Sequence, residues 1–197
     1  MRAERTAEVQ RKTKETQIQI RLNLDGAGNS LTQTGIGFLD HMLDSFARHG
    51  RFDLQVEASG DLHVDAHHTV EDVGICLGKA FKEALGDKAG VARFGDAAVP
   101  MDEALTLAAV DLSGRGILVA ALEVKQESIG GFPSHLVIEF LKALAYNAGI
   151  TLHVRQLAGE NPHHLVESVF KSLARAMKQA VAVVEADGGV PSTKGVL

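Results

Sequence analysis

The pattern His-His-x-x-Glu is written twice in this 197-residue chain, at His67-His68-Thr69-Val70-Glu71 and again at His163-His164-Leu165-Val166-Glu167. With only nine histidines present, chance order would give about 0.03 copies of such a pattern. Two copies therefore need a common cause. Val70 and Val166, Val73 and Val169, Leu77 and Leu173, Ala80 and Ala176, Lys82 and Lys178, and Ala84 and Ala180 are also identical at one offset. A unit has been repeated, and any fold must give both copies matching places.

Each motif opens an amphipathic run of about twenty residues that reads as a helix. At about 100° per residue, Glu71 shares a face with His67 (i,i+4) or with His68 (i,i+3). The two adjacent imidazoles diverge by the same 100° or so and cannot easily grip one ion. Each helix is thus expected to serve two metals.

Composition removes several classes. A net charge of −5 lacks the basic excess of a general nucleic-acid binder. One cysteine, Cys76, allows no disulfide framework and no zinc ribbon, and reads as a small core residue in a reducing compartment. No stretch approaches eighteen apolar residues, and the start, MRAERTAEVQRKTKE, is charged without an apolar h-region. A soluble protein that contacts no membrane, in a bacterial cytoplasmic setting, is the expectation.

Along the chain, residues 9–25 read as a strand with one wet face, since Ile18, Ile20, Leu22 and Leu24 alternate with polar residues. Asp25 to Asn29 is a turn, and a short strand near Ser30–Thr34 would complete a hairpin with it. GIGFLDHMLDSFARHG (35–50) predicts a helix with Phe38, Met42, Leu43 and Phe46 as its stripe. Phe52 to Ala58 alternate as a second wet-faced strand, and the first motif helix runs to about Gly86. The order then repeats: strands in 94–112 and 117–125 around Ser113-Gly114-Arg115-Gly116, a stretch at 130–149, a strand containing Leu152 and Val154, and the second motif helix. Gly37, Phe38, His41 and Phe46 are answered by Gly131, Phe132, His135 and Phe140.

The half-repeats are taken as 1–92 and 93–197, the second carrying a C-terminal tail, in one compact unit. The predicted fold is α+β, an internal duplication of a strands-helix-strand-helix half, with a four-helix bundle packed between two mixed β-sheets.

His41 and His135 hold matching places, so the ligand set is His41, His67, His68, Glu71, His135, His163, His164 and Glu167. Shared evenly, it provides two ions with three imidazoles and one carboxylate each. Nitrogen and oxygen ligation without thiolate suits Mn²⁺, Fe²⁺, Co²⁺, Ni²⁺ or Zn²⁺, and open positions on such ions suit catalysis. His49, His63 and His153 read as ordinary surface or loop residues.

GFLDHM (37–42), HHTVED (67–72), DEAL (102–105), DLSGRG (111–116), RQLAGENPHH (155–164), FKSLARA (170–176) and PSTKGVL (191–197) together resemble the imidazoleglycerol-phosphate dehydratase family of histidine biosynthesis, in its single-function form. The resemblance covers nearly the whole chain. It implies a ribosomal protein S5 domain 2-like fold and a carbon-oxygen hydro-lyase that converts D-erythro-imidazole-glycerol phosphate to imidazole acetol phosphate. The implied route binds the substrate ring as a metal-bound imidazolate, expels the hydroxyl to give a diazafulvene, and then removes the acidified C–H proton.

By the same resemblance Glu15, in Lys14-Glu15-Thr16, is the general base, joined in the catalytic set by Glu71 and Glu167. Arg93, Arg115, Lys171, Ser192 and Lys194 match phosphate-binding positions, with Asp102 and Glu103 as further candidates near the site. Ser45 stands where some relatives have a Gln that touches substrate. Mn²⁺ is the expected ion, two per subunit, and a 24-subunit homo-oligomer with metal sites at subunit interfaces is the implied assembly. A binuclear hydrolase would usually want bridging carboxylates, and a storage protein would leave Arg93, Arg115, Lys171 and Lys194 without a purpose.

Overall fold

A computed structural model describes residues 4–184 and 188–195. Its first strands are β1 (Thr6–Lys12), β2 (Thr16–Asn23), β3 (Ser30–Gln33) and β4 (Asp53–Gly60), and they form a sheet in the order β1-β2-β4-β3. Alternation works as expected on β2 and β4: Ile18, Ile20, Leu22, Leu54 and Val56 are all 2% exposed or less, while Gln17, Arg21 and Glu57 face water.

Two expectations fail here. The single strand over 9–25 is a hairpin, because the Thr13 hydroxyl oxygen accepts the backbone N–H groups of Glu15 and Thr16 (3.1 and 2.9 Å) and turns the chain. Nor does β3 pair with β2; it runs parallel to β4. The Asp53 carboxylate accepts the N–H groups of Ala27, Gly28 and Asn29 (2.9, 3.1 and 2.9 Å), which pins the preceding turn at the start of β4.

The second half has β5 (Phe94–Met101), β6 (Ala104–Asp111), β7 (Ile117–Ala121) and β10 (Thr151–Ala158), in the order β5-β6-β10-β7. This is the first sheet's order again, and β7 lies parallel to β10 as β3 does to β4. The 94–112 stretch is broken at Asp102, which takes a left-handed φ of 48°.

Four helices, α1 (Gly37–Gly50), α2 (His67–Leu85), α3 (Leu136–Ala148) and α4 (Pro162–Ala180), fill the space between the sheets. α1 lies against β3 and β4, α2 against β1 and β2, α3 against β7, and α4 against β5 and β6, while α1 meets α4 and α2 meets α3. On α1 the buried stripe is Leu39, Met42, Leu43, Phe46 and Ala47, with Phe38 only partly covered.

The α2–α3 seam is close because two positions carry no side chain. A Cβ on Gly74 would lie 2.9 Å from the Phe140 carbonyl oxygen, and one on Gly78 would lie 2.7 Å from that of Leu144. Gly74 thus faces the first half of α3 and Gly78 its second, so the two helices run in the same sense and share an N-terminal end.

His135 is not inside α3, as the match to His41 suggested, but at its N-cap. The short strands β8 (Ser128–Ile129) and β9 (Phe132–Pro133) occupy the approach. Gly130 and Gly131, both at positive φ, make their turn, and helix begins only after it.

Candidate metal and substrate site

α4 starts sharply. Asn161 caps it by accepting the N–H groups of His163 and His164 (2.9 and 3.3 Å), and Pro162 follows, needing no partner for an N–H it lacks. This fixes His163 and Glu167 on one face, one turn apart, and α1 packs against α4 with His41 pointing at the same spot. Glu167 Oε2 lies 3.6 Å from His41 Nε2 and 3.3 Å from His163 Nε2, and the His41 and His163 rings are 5.7 Å apart.

Glu167 is 7% exposed and its other oxygen accepts from Lys171 Nζ at 2.8 Å. Burial alone would push this carboxyl up, but the hydrogen bond and charge of Lys171, together with His41 and His163, hold it below its ordinary value. Among the described residues, His41, His163 and Glu167 form a trio whose ligand atoms all lie within 4.8 Å of one another. Two imidazoles and an ionised carboxylate at that spacing fit a first-row divalent ion.

The first motif is more open. His67 Nε2 and Glu71 Oε2 are 4.0 Å apart, and the His67 and His68 rings sit at 83° with centroids 6.1 Å apart, diverging as the helical geometry requires. His135 is exposed at the same end of the helix pair, but among the described residues it forms no comparable trio with His67 and Glu71.

The second imidazole of each motif is held through Nδ1. Asp61 Oδ2 lies 3.0 Å from His68 Nδ1, with Glu15 Oε2 behind at 3.9 Å. Glu103 Oε2 lies 2.8 Å from His164 Nδ1, and Asp102 is 3.7 Å from the opposite nitrogen. The hydrogen bonds that Asp61 and Glu103 accept from them push the two imidazoles up from their ordinary pKa. Glu103 in turn is lowered to about 2, by His164 first and then by the Asn161 N–H. The sequence reading missed Asp61, which sits inconspicuously in the loop before α2.

A polar cleft of about 540 Å³ opens beside the trio, lined by His41, Ser45, Arg48, His49, Glu167 and Lys171 among others. His49, expected at the surface, is exposed and also lines this cleft. Partial burial, and then the charges of Lys171 and Arg175, push its pKa down. The i, i+4, i+7, i+8 spacing of His41, Ser45, Arg48 and His49 was the available signal. A groove of about 610 Å³ on the outer side of the first sheet carries no histidine.

The phosphate candidates fall into two groups. Arg93 donates to Asp111 Oδ1 (2.8 Å) and to the Pro191 carbonyl (2.8 Å), and Arg115 lies 4.0 Å from the other Asp111 oxygen. Asp111 thus gathers both arginines beside the tail that carries Ser192 and Lys194. Lys171 stands apart with Glu167 and Met101. His63 and His153 remain exposed.

Fold and site together define an α+β protein with a histidine–carboxylate cluster suited to a divalent ion beside a polar, cation-lined cleft. The family model described as imidazoleglycerol-phosphate dehydratase matches residues 34–177. Proteins of that name from Azorhizobium caulinodans and Thermoanaerobacter sp. are each 58% identical to this chain, over 194 and 193 residues, which is 98% of this chain in both cases and 98% and 100% of the relatives. The crystal structure of the Staphylococcus aureus imidazoleglycerol-phosphate dehydratase superposes with a TM-score of 0.82 at 37% identity, covering 90% of this chain and 99% of that one. A Pyrococcus furiosus structure in complex with (S)-C348 gives 0.82 at 40% identity over 96% and 100%. The chain belongs to the imidazoleglycerol-phosphate dehydratase family.

Proposed function

We propose that this chain is a metal-dependent hydro-lyase of histidine biosynthesis that dehydrates D-erythro-imidazole-glycerol phosphate to imidazole acetol phosphate. The observation that carries the reading is the trio of His41, His163 and Glu167, with ligand atoms within 4.8 Å, in a chain of this family. His67, His68, Glu71, His135 and His164 complete the proposed ligand set, for two Mn²⁺ per subunit. Such ions would act as Lewis acids on the substrate's imidazole and make that ring a better electron sink.

The rest of the work falls to side chains. Once the ring has given up its N–H proton, its electrons would expel hydroxide from the neighbouring carbon, the proton and hydroxide together making one water and leaving a diazafulvene. Glu15 would then take the proton from the next carbon. The resulting enol becomes the ketone, so the sum is loss of one water. Glu15 sits in the β1–β2 turn, 3.9 Å from His68, at the N-terminal end of α2. Arg93, Arg115, Lys171, Ser192 and Lys194 would donate to the phosphate. Glu103 is a poor second base, since a carboxyl held at about 2 takes up a proton reluctantly.

The repeated strand order supports reading 1–92 and 93–197 as duplicated halves of an S5 domain 2-like fold. The open first motif supports a homo-oligomer, the 24-subunit shell of the resemblance, in which a neighbour completes the site. No helix among the described residues is long and apolar enough to cross a membrane, which is compatible with a cytoplasmic enzyme.

The test is turnover of imidazole-glycerol phosphate by metal-stripped protein, with and without added Mn²⁺, beside a metal count per chain. Manganese-dependent product with about two ions per chain is the expected result. Two bound ions without dehydration would end the proposal.

A further inference from the structure

The second histidines of the two motifs, His68 and His164, are each tied to a carboxylate by the same ring atom, although the two carboxylates come from unrelated places. Asp61 lies in the loop between β4 and α2, seven residues before its histidine. Both its oxygens approach Nδ1, at 3.0 and 3.3 Å, and its side chain is 16% exposed. Glu103 lies in the β5–β6 turn, 61 residues from His164. One of its oxygens meets Nδ1 at 2.8 Å, and the other accepts the Asn161 backbone N–H at 2.8 Å.

Simple inheritance from a repeated unit would put both acids at one offset. It does not: the residue 96 positions after Asp61 is Leu157. The hairpin turn that corresponds to Glu103's is the one holding Glu15, which stands 3.9 Å from His68 Nδ1, beyond hydrogen-bonding range. The same contact has been reached by two routes, so what the halves share is a demand on the imidazole and not a common loop.

An imidazole offers a metal one nitrogen at a time, and the hydrogen bond at the other nitrogen decides which. A carboxylate accepts only. It therefore fixes the proton of a neutral imidazole on Nδ1 and leaves the Nε2 lone pair free. We propose that Asp61 and Glu103 are positioning residues that hold His68 and His164 in the Nδ1–H form, so that each presents Nε2 to a divalent ion. The inference rests on the metal reading above. It also divides the acids at the first site: Asp61 anchors the ring and leaves Glu15 free to take a proton from substrate, whereas Glu103 is committed to its histidine.

The experiment has two arms, and the first needs no metal. Nitrogen-15 NMR of histidine-labelled, metal-free protein, followed to rising pH until both rings have lost their second proton because Asp61 and Glu103 hold them above the ordinary imidazole value, reports which nitrogen carries the remaining proton. His68 and His164 should show the Nδ1–H form. Asp61→Ala should release His68, and Glu103→Ala should release His164, toward the Nε2–H form favoured by free imidazole in water. In the second arm, Mn²⁺ titration of the alanine variants should give affinities about 10- to 100-fold weaker than wild type. Asp61→Asn and Glu103→Gln, whose amide oxygens can still accept from Nδ1, should keep the tautomer and recover part of the affinity.

A purely structural role for either acid would lower the unfolding midpoint without moving the tautomer, and the amide variants remain usable should an alanine variant unfold. Wild-type histidines protonated on Nε2 overturn the inference, as do alanine variants that keep both tautomer and affinity. Wild-type protein that takes up no Mn²⁺ overturns the metal reading, and the NMR arm then decides the tautomer assignment by itself.

Discussion

The first turns of α2 and α4 carry the same pattern and keep different company. Glu167 is buried, meets two imidazoles and is paired with Lys171 one turn on. The residue in Lys171's place on α2 is Ile75, and Glu71 is 45% exposed, with His67 no nearer than 4.0 Å. One motif gathers a compact trio with His41 among the described residues, and the other stands more open toward solvent. The comparison teaches that a repeated ligand pattern need not produce repeated sites, because a ligand's neighbours decide whether it is preorganised.

The widest consequence concerns assembly. If neighbouring chains complete the open motif, stripping metal should break the particle into smaller species, seen by light scattering. A particle of unchanged size after verified metal removal would mean that the open end is not an assembly joint.

Next in size is a contrast in stability. Glu167→Gln removes the counter-charge of Lys171 at the wall of the polar cleft and should cost about 1–3 kcal/mol in urea unfolding of metal-free protein. Glu71→Gln removes only an exposed i,i+4 contact, worth at most about 0.5 kcal/mol. Equal costs would erase the distinction between the two ends.

The helix seams provide a third test. Gly78→Ala pushes a Cβ to within 2.7–2.9 Å of Leu144, Asn147 and Ala148, and should destabilise by about 1–3 kcal/mol. The matched position on α4 is already Ala174, fully buried. Ala174→Gly should cost about 1 kcal/mol through helix entropy and lost packing. A neutral Gly78→Ala would mean that α2 and α3 can separate freely.

The smallest effects are in pH. His68 and His164 have folded pKa values raised above 6.5, so in metal-free protein their contribution is complete below 6.5 and fades as pH climbs through the raised values. Glu103 is lowered from 4.5 to about 2, so its contribution is complete above 4.5 and is lost as pH falls toward 2. Melting temperature followed against pH should show Glu103→Gln losing both the acid and the alkaline edge of this window. Asp61→Asn should lose the alkaline edge belonging to His68. Superimposable profiles would mean that the two carboxylates hold nothing.

Much of this was legible from periodicity. Alternation found the buried faces of β2 and β4, and the i,i+4 spacing put His163 and Glu167 together. Strand partners were less legible, because alternation says which face is buried and not which neighbour is bonded. The Asp53 carboxylate that redirects β3 acts from 24 residues or more away. His135 was displaced to an N-cap by a glycine turn whose pairing is local but too short to read as strand. Asp61 escaped notice, and Glu103 was placed near the site without its partner His164, because a histidine's anchor can come from any loop that reaches it.

The seam at Gly74 and Gly78 also has a genetic reading. Every missense change at a glycine codon adds a Cβ, and at these two positions that carbon meets neighbouring main chain at 2.9 Å or less. Neither site has a harmless neighbour in sequence space. Because the obstacle is the main chain of α3, no shortened side chain there makes room, and either glycine can change only if the two helices first move apart.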